Sequence, residues 1–228
     1  MTNTENRDIA WYAERNALLA EFMTAERYRV LTDALAMRTD YMTILTENTF
    51  HPQNASALVR HCEAFGLQRL NTVETLCPFT PNLDIVRGTD KWVDIRRHAS
   101  TAEALATLRS EGYRIVATTP HTDDIVPETF DVARGRFALV FGTEHAGISD
   151  EVKASADEFL RIPMCGMVES LNVSASAAIL IYMLSARMRR EVADWRIGGL
   201  RREEILYRWM RASVKDADAI LLRMFAEV

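Results

Sequence analysis

Residues 162–182, IPMCGMVESLNVSASAAILIY, join irregular backbone to a long apolar segment. Pro163 and Gly166 keep the first half out of regular structure, leaving main-chain N–H and C=O groups free to satisfy the edge of a heterocycle. Ser170 and Asn172 offer side-chain hydrogen bonds beside them, and either could equally cap the helix that follows. A second stretch, LVFGTEHAGIS (139–149), ends an apolar run at Gly142 and carries Glu144 in a glycine-flanked turn. Gly142 and Gly147 suit positive φ or close approach to a ligand, and a plain strand–turn–helix link reads the same pattern as well. The third, NTFHPQNASALVRHCEAFG (48–66), places Asn54 to cap a helix from Ala55 after Pro52 has fixed the approach. Leu58, Cys62 and Phe65 share its core face, and Arg60 lies on another side. Taken alone, Arg60 reads as a surface arginine.

The elements that must position these residues alternate in type. Short β-prone runs occur at 41–47, 70–75, 113–119, 137–142 and 158–164. Helical patterns lie between them at 55–65, closed by Gly66, and 101–111, closed by Gly112. This alternation predicts an α/β fold, a mostly parallel sheet flanked by helices, in which ligands sit at the carboxyl ends of the strands. Residues 6–37 read as two helices, the second capped by Thr24. The expected organisation is an N-terminal helical extension (1–40), a central domain (41–188) and an arginine-rich C-terminal helical extension (189–228).

With 48% hydrophobic and 26% charged residues, the 228-residue chain reads as an ordinary globular protein. Cys62, Cys77 and Cys165 fit neither a disulfide framework nor a zinc spacing, so no metal is expected and a reducing compartment is. The charged N-terminus lacks a signal peptide and no apolar run spans a bilayer, which predicts a cytoplasmic protein without a membrane partner. No Walker motif, dinucleotide fingerprint or serine-hydrolase elbow is present.

The net charge of −5 argues against bulk attraction to nucleic acid but leaves a local patch open. Between positions 187 and 211 there are eight arginines, Arg187, Arg189, Arg190, Arg201 and Arg202 among them, against four acids. Trp195, Tyr207 and Trp209 interleave with them. The stretch reads either as a solvated helix face or as a phosphate-contacting surface.

In order, N-A-S-A-L-V-R (54–60), F-G-T-E-x-x-G-I-S (141–149) and I-P-M-x-G-M-V-x-S-L-N-V-S (162–174) resemble the SPOUT superfamily of RNA methyltransferases. The pattern is similar to the TrmH-type ribose 2′-O-methyltransferases that modify guanosine 18 in the tRNA D-loop, and it covers about residues 24–190. The resemblance implies a C-terminal deep trefoil knot, a homodimer through the knotted domain, and S-adenosyl-L-methionine as cofactor. It implies that Thr118, Gly142, Ile162, Met164 and Leu171 hold that cofactor. Asn54, Arg60, Glu144, Ser170 and Asn172 fall on the family's functional polar positions, with Arg60 proposed to activate the ribose hydroxyl. A guanidinium with pKa above ~12 is a poor base, so phosphate positioning and alkoxide stabilisation suit it better. His145 departs from the lysine that many relatives carry. In TrmH-type proteins the terminal helices help grip tRNA, which favours the phosphate reading of the basic tail. An rRNA 2′-O-methyltransferase and a non-catalytic knotted RNA-binding protein remain as alternatives.

Overall fold

The structure, a computed structural model, describes residues 7–120, 123–143 and 146–225. It divides into two compact units, one of residues 39–195 and one of residues 1–38 with 196–228.

The larger unit is built on six strands: β1 (Met42–Glu47), β2 (Arg69–Val73), β3 (Asp94–His98), β4 (Arg114–Thr118), β5 (Phe137–Phe141) and β6 (Glu158–Leu160). They form a single sheet in the order β3-β2-β1-β5-β4-β6, and every pairing is parallel. Side chains alternate across it, as the two-residue period of a strand requires. Phe137, Leu139 and Phe141 of β5 pack on one face, against Leu58 and Cys62 and against Ala177, Leu180 and Leu184. Ala138 and Val140 pack on the other, against Leu105, Leu108 and Val152. Helices α1 (Ile9–Glu21) and α2 (Ala25–Ala36) belong to the smaller unit. The helices on the sheet are α3 (Pro52–Ala64) and α7 (Val173–Glu191) on the first face, and α5 (Thr101–Ser110) and α6 (Asp150–Ser155) on the second. A four-residue helix, α4 (Leu83–Val86), lies between β2 and β3. Gly66 and Gly112 end α3 and α5 with φ of 77° and 82°, a conformation that costs glycine little.

Two local expectations change. Helix α3 begins at Pro52, whose ring presets the helical φ, and its N-cap His51 makes no side-chain cap bond. Asn54 therefore sits inside the first turn and is not the cap. Strand β3 was not anticipated. Its sequence DIRRH carries two exposed arginines because it is an edge strand, paired only with β2.

The smaller unit contains α1 (Ile9–Glu21), α2 (Ala25–Ala36), α8 (Gly199–Ser213) and α9 (Ala217–Phe225). Asp8 caps α1 and Thr24 caps α2, each accepting from the N–H three residues on. Leu19, Leu31, Leu35, Trp209 and Met210 are buried there. Asn16 Nδ2 donates to the Glu203 carbonyl at 3.1 Å, and Arg15 stacks 3.8 Å above the Trp11 ring.

Candidate functional site

The carboxyl ends of β4, β5 and β6 open into one cavity of about 680 Å³. Thr118 ends β4, and its hydroxyl donates to the Val140 carbonyl at 2.8 Å. Gly142 follows β5 directly. A Cβ added there would fall 1.9 Å from the carbonyl carbon of Gly147 and 2.1 Å from Ile148 N, so the main chain crosses itself where only glycine fits. The turn is closed by reciprocal bonds, Thr143 N–H to Gly147 O at 2.9 Å and Gly147 N–H to Thr143 O at 3.1 Å. Its far end is pinned by Glu47, a buried carboxylate at the end of β1. Glu47 accepts from Ser149 N at 2.9 Å, from Ser149 Oγ at 2.8 Å and from Thr101 Oγ at 2.7 Å.

Residues 161–172 form no helix or strand, and Met167, Val168 and Leu171 are exposed. Their backbone ends where Asn172 caps α7, its Oδ1 accepting from Ser174 N at 2.8 Å. The same side chain reaches back, its Nδ2 donating to Asn54 Oδ1 at 3.1 Å. On α3, His61 also touches the start of α7. Burial holds its imidazole below the usual value, opposed by a hydrogen bond to the Ser174 backbone and reinforced by the neighbouring Arg60.

All five residues nominated for a cofactor, Thr118, Gly142, Ile162, Met164 and Leu171, line this cavity, and Ser170 lines it with them. Asn54, Asn172 and Arg60 lie outside its wall. Arg60 is exposed on α3 and donates from Nη1 to the Ile85 carbonyl at 3.0 Å. Glu144 and His145 lie outside the described residues. The model of the SpoU rRNA Methylase family matches residues 41–182, the span that builds the sheet and the cavity. The chain belongs to the SpoU methylase family.

Among this family's members, the tRNA (guanosine(18)-2′-O)-methyltransferase of Borreliella burgdorferi is 32% identical over 203 residues, covering 89% of this chain and 93% of that one. The solved A. aeolicus TrmH/SpoU tRNA modifying enzyme matches with a TM-score of 0.73 at 27% identity, over 84% of this chain and 98% of that one. An AdoMet-bound rRNA methyltransferase from Sinorhizobium meliloti matches with a TM-score of 0.58 at 26% identity, over 72% and 61% of the two chains.

The SpoU cavity also recruits residues that sequence reasoning passed over. Asp124 and Lys153 line it, together with Phe141, Phe159 and Leu180. Asp124 follows the predicted strand at 113–119 by five residues, in the ATTPHTDD stretch (117–124). Lys153 is one of only three lysines in the chain, and a lone cation beside a strand-end turn was the available signal.

The basic tail does not present one uniform face. Arg187 donates to the carbonyls of Pro127 at 2.6 Å and Phe130 at 2.7 Å and pairs with Glu191. Arg189 donates to the Phe65 carbonyl at 2.6 Å and lies 5.2 Å from the Trp195 ring centre. Both guanidiniums bond to the SpoU domain's own backbone, which gives them a structural role beside the phosphate contact expected of them. Arg190 is 68% exposed. In the smaller unit, Arg201 pairs with Glu204 at 2.9 Å and Arg202 with Glu203 at 2.5 Å.

Proposed function

We propose that this SpoU-family protein transfers a methyl group from S-adenosyl-methionine to the 2′-hydroxyl of a tRNA guanosine, at the D-loop position 18 named for its relatives. The observation that carries the reading is the convergence of three strand-end segments, holding every residue nominated for the cofactor, on one cavity of about 680 Å³. That size suits a nucleoside-sized ligand. Free main-chain groups of 162–171 can meet an adenine edge, and Phe141, Leu160 and Leu180 supply apolar walls. Asp124, which accepts from Thr119 Oγ, and Lys153, which pairs with Asp150 at 2.8 Å, stand at the wall as an anion and a cation for a zwitterionic amino-acid end.

When bound, the cofactor supplies an electrophilic methyl group on a sulfonium. The guanidinium of Arg60 holds an RNA phosphate and offsets the negative charge that builds on the ribose oxygen as its proton passes to water. Asn54 and Asn172, joined to each other, fix the first turn of α3 against the start of α7 and so set the distance from Arg60 to the cavity mouth. Much of the rate comes from alignment of two large reactants.

The same reading includes a C-terminal deep trefoil knot, which the family membership of residues 41–182 supports. The exposure of Met167, Val168 at 60% and Tyr182 at 59% supports a homodimer that covers them. Arg190, Arg201 and Arg202 are the proposed phosphate contacts of the tail.

Mapping 2′-O-methyl groups in total RNA incubated with the protein and S-adenosyl-methionine tests the reading. Methylation at guanosine 18 of tRNA is expected. Methylation confined to rRNA would replace the substrate, and absence of cofactor binding in calorimetry would overturn the enzymatic assignment.

A further inference from the structure

Helix α4 has four residues, too few to be stable unless its surroundings hold it. Its Asn82 cap accepts from Asp84 N at 2.9 Å through Oδ1. The N–H of Asn82 is in turn held by Ser56 Oγ at 2.7 Å, and that hydroxyl donates to the Pro52 carbonyl at 2.6 Å. Ser56 is completely buried on α3. At the other end Val86 is buried in the core, and Arg87 closes the helix in the left-handed region at φ 49°. Two of the carbonyls at this end are satisfied locally, Leu83 O by Arg87 N at 3.1 Å and Val86 O by Thr89 Oγ at 2.7 Å. The carbonyl of Ile85 accepts instead from Arg60 Nη1 at 3.0 Å.

We propose that Ser56 and Asn82 are positioning residues for Arg60, acting through the carbonyl of Ile85. Ser56 and Arg60 are four residues apart on α3, so they occupy one side of it and meet the same short helix. A free arginine side chain loses roughly 2 kcal/mol of rotamer entropy when it is fixed. Here part of that loss is already made in the folded chain, before any RNA arrives. One N–H of the guanidinium is used and four remain for a phosphate, with the plane of the fork set in advance. The carbonyl end of α4 also favours a cation, which fits a positioning and charge-stabilising role for Arg60 better than a basic one. This inference rests on the proposed role of Arg60 in methyl transfer.

Asn82 is exposed, so its replacement spares the core. The test compares Asn82→Ala with Asn82→Asp, which keeps a capping oxygen. It measures kcat on tRNA, the cofactor dissociation constant by calorimetry, and the Arg60 side-chain N–H signals by NMR. Asn82→Ala is expected to lower kcat about tenfold, from the loss of about 1.4 kcal/mol of alignment. Cofactor affinity should stay within twofold, the Arg60 signal should lose its ordered shift, and Asn82→Asp should restore both kcat and signal. Ser56→Ala should act in the same direction. Unchanged kcat together with an unchanged Arg60 signal in Asn82→Ala would overturn the proposal. A wild-type protein that methylates no RNA would instead remove the functional reading, while the NMR comparison would still report whether Asn82 orders Arg60.

Discussion

Asn172 Nδ2 donates to Asn54 Oδ1 at 3.1 Å across 118 positions of sequence. The same Asn172 caps α7 through its other amide atom, so one side chain serves helix start and cross-link together. The two functions separate by substitution. Asn172→Ala removes both and is expected to cost about 1 kcal/mol or more of stability, as cap losses do. Asn54→Ala leaves the cap intact. Methyl transfer should fall in both variants, and thermal melting should fall clearly more in Asn172→Ala.

Gly142 predicts a sharper effect. A methyl group there would sit 1.9 Å from the Gly147 carbonyl carbon, and both colliding groups are backbone. Neither strand β5 nor the paired Thr143 and Gly147 can yield without breaking bonds. Gly142→Ala should therefore abolish cofactor binding by calorimetry, with a melting temperature lowered by several degrees. Wild-type affinity in this variant would show that the crossing is dispensable.

Much of the sheet was legible because parallel strands buried on both faces read as continuous apolar runs, as FALVF of β5 does. Strand β3 escaped because DIRRH follows no such rule at an edge. The cavity residues were legible only through the resemblance of the three motifs, because Thr118 and Gly142 stand at strand ends but Ile162, Met164 and Leu171 lie in the irregular stretch 161–172. Asn54 reads in the sequence as the cap of α3, but Pro52 starts that helix without any side-chain cap. The internal bonds of Arg187 and Arg189 could not be read from a charge count. Their carbonyl partners, at Pro127, Phe130 and Phe65, are 57 to 124 positions away.

Arg60→Ala is expected to reduce methyl transfer by at least a hundredfold, about 2.7 kcal/mol of transition-state stabilisation. The cofactor dissociation constant should remain within twofold, because Arg60 lies outside the cavity wall. Arg60→Lys keeps the charge but loses the planar fork, and should recover only part of the rate. Equal loss of transfer and cofactor affinity would assign the residue to the fold.

Acid should weaken the protein in two steps. His61 and His98 both titrate below the ordinary imidazole value of 6.5, in each case chiefly because burial disfavours the charged ring. Their folded pKa values lie below the unfolded ones, so their contribution is complete above about pH 6.5 and is lost as pH falls through the lowered values. Burial works to raise Glu111, but the paired Arg96 and Arg69 outweigh it and hold the carboxyl below 4.5. That contribution persists through the first step and disappears only below about pH 4.5. Urea unfolding across this range should show both slopes. His98→Gln should flatten the upper one in part, leaving the share of His61.

The tail arginines should divide by what they touch. Arg187 satisfies two carbonyls and one carboxylate, and hydrogen bonds to charged groups are worth about 1.5–3 kcal/mol each. Arg187→Ala should therefore lower stability by about 2 kcal/mol or more. The salt dependence of tRNA binding should stay unchanged if these internal bonds are its whole task, and a reduced slope would return Arg187 to the RNA surface. Among the described residues, the guanidiniums of Arg190 and Arg202 pair with carboxylates on their own helices, Glu191 at 3.7 Å and Glu203 at 2.5 Å. Arg190 is exposed and a pair of that kind contributes little to folding, so its replacement should leave melting nearly unchanged, whereas Arg202 pairs with the half-buried Glu203 and its replacement should lower melting slightly. If they meet phosphates, each alanine should reduce the slope of log affinity against log salt by about one counterion. Titrating tRNA at several salt concentrations separates the two classes. An unchanged slope in both Arg190→Ala and Arg202→Ala would remove these arginines from the RNA surface and leave the tail a solvated helix face.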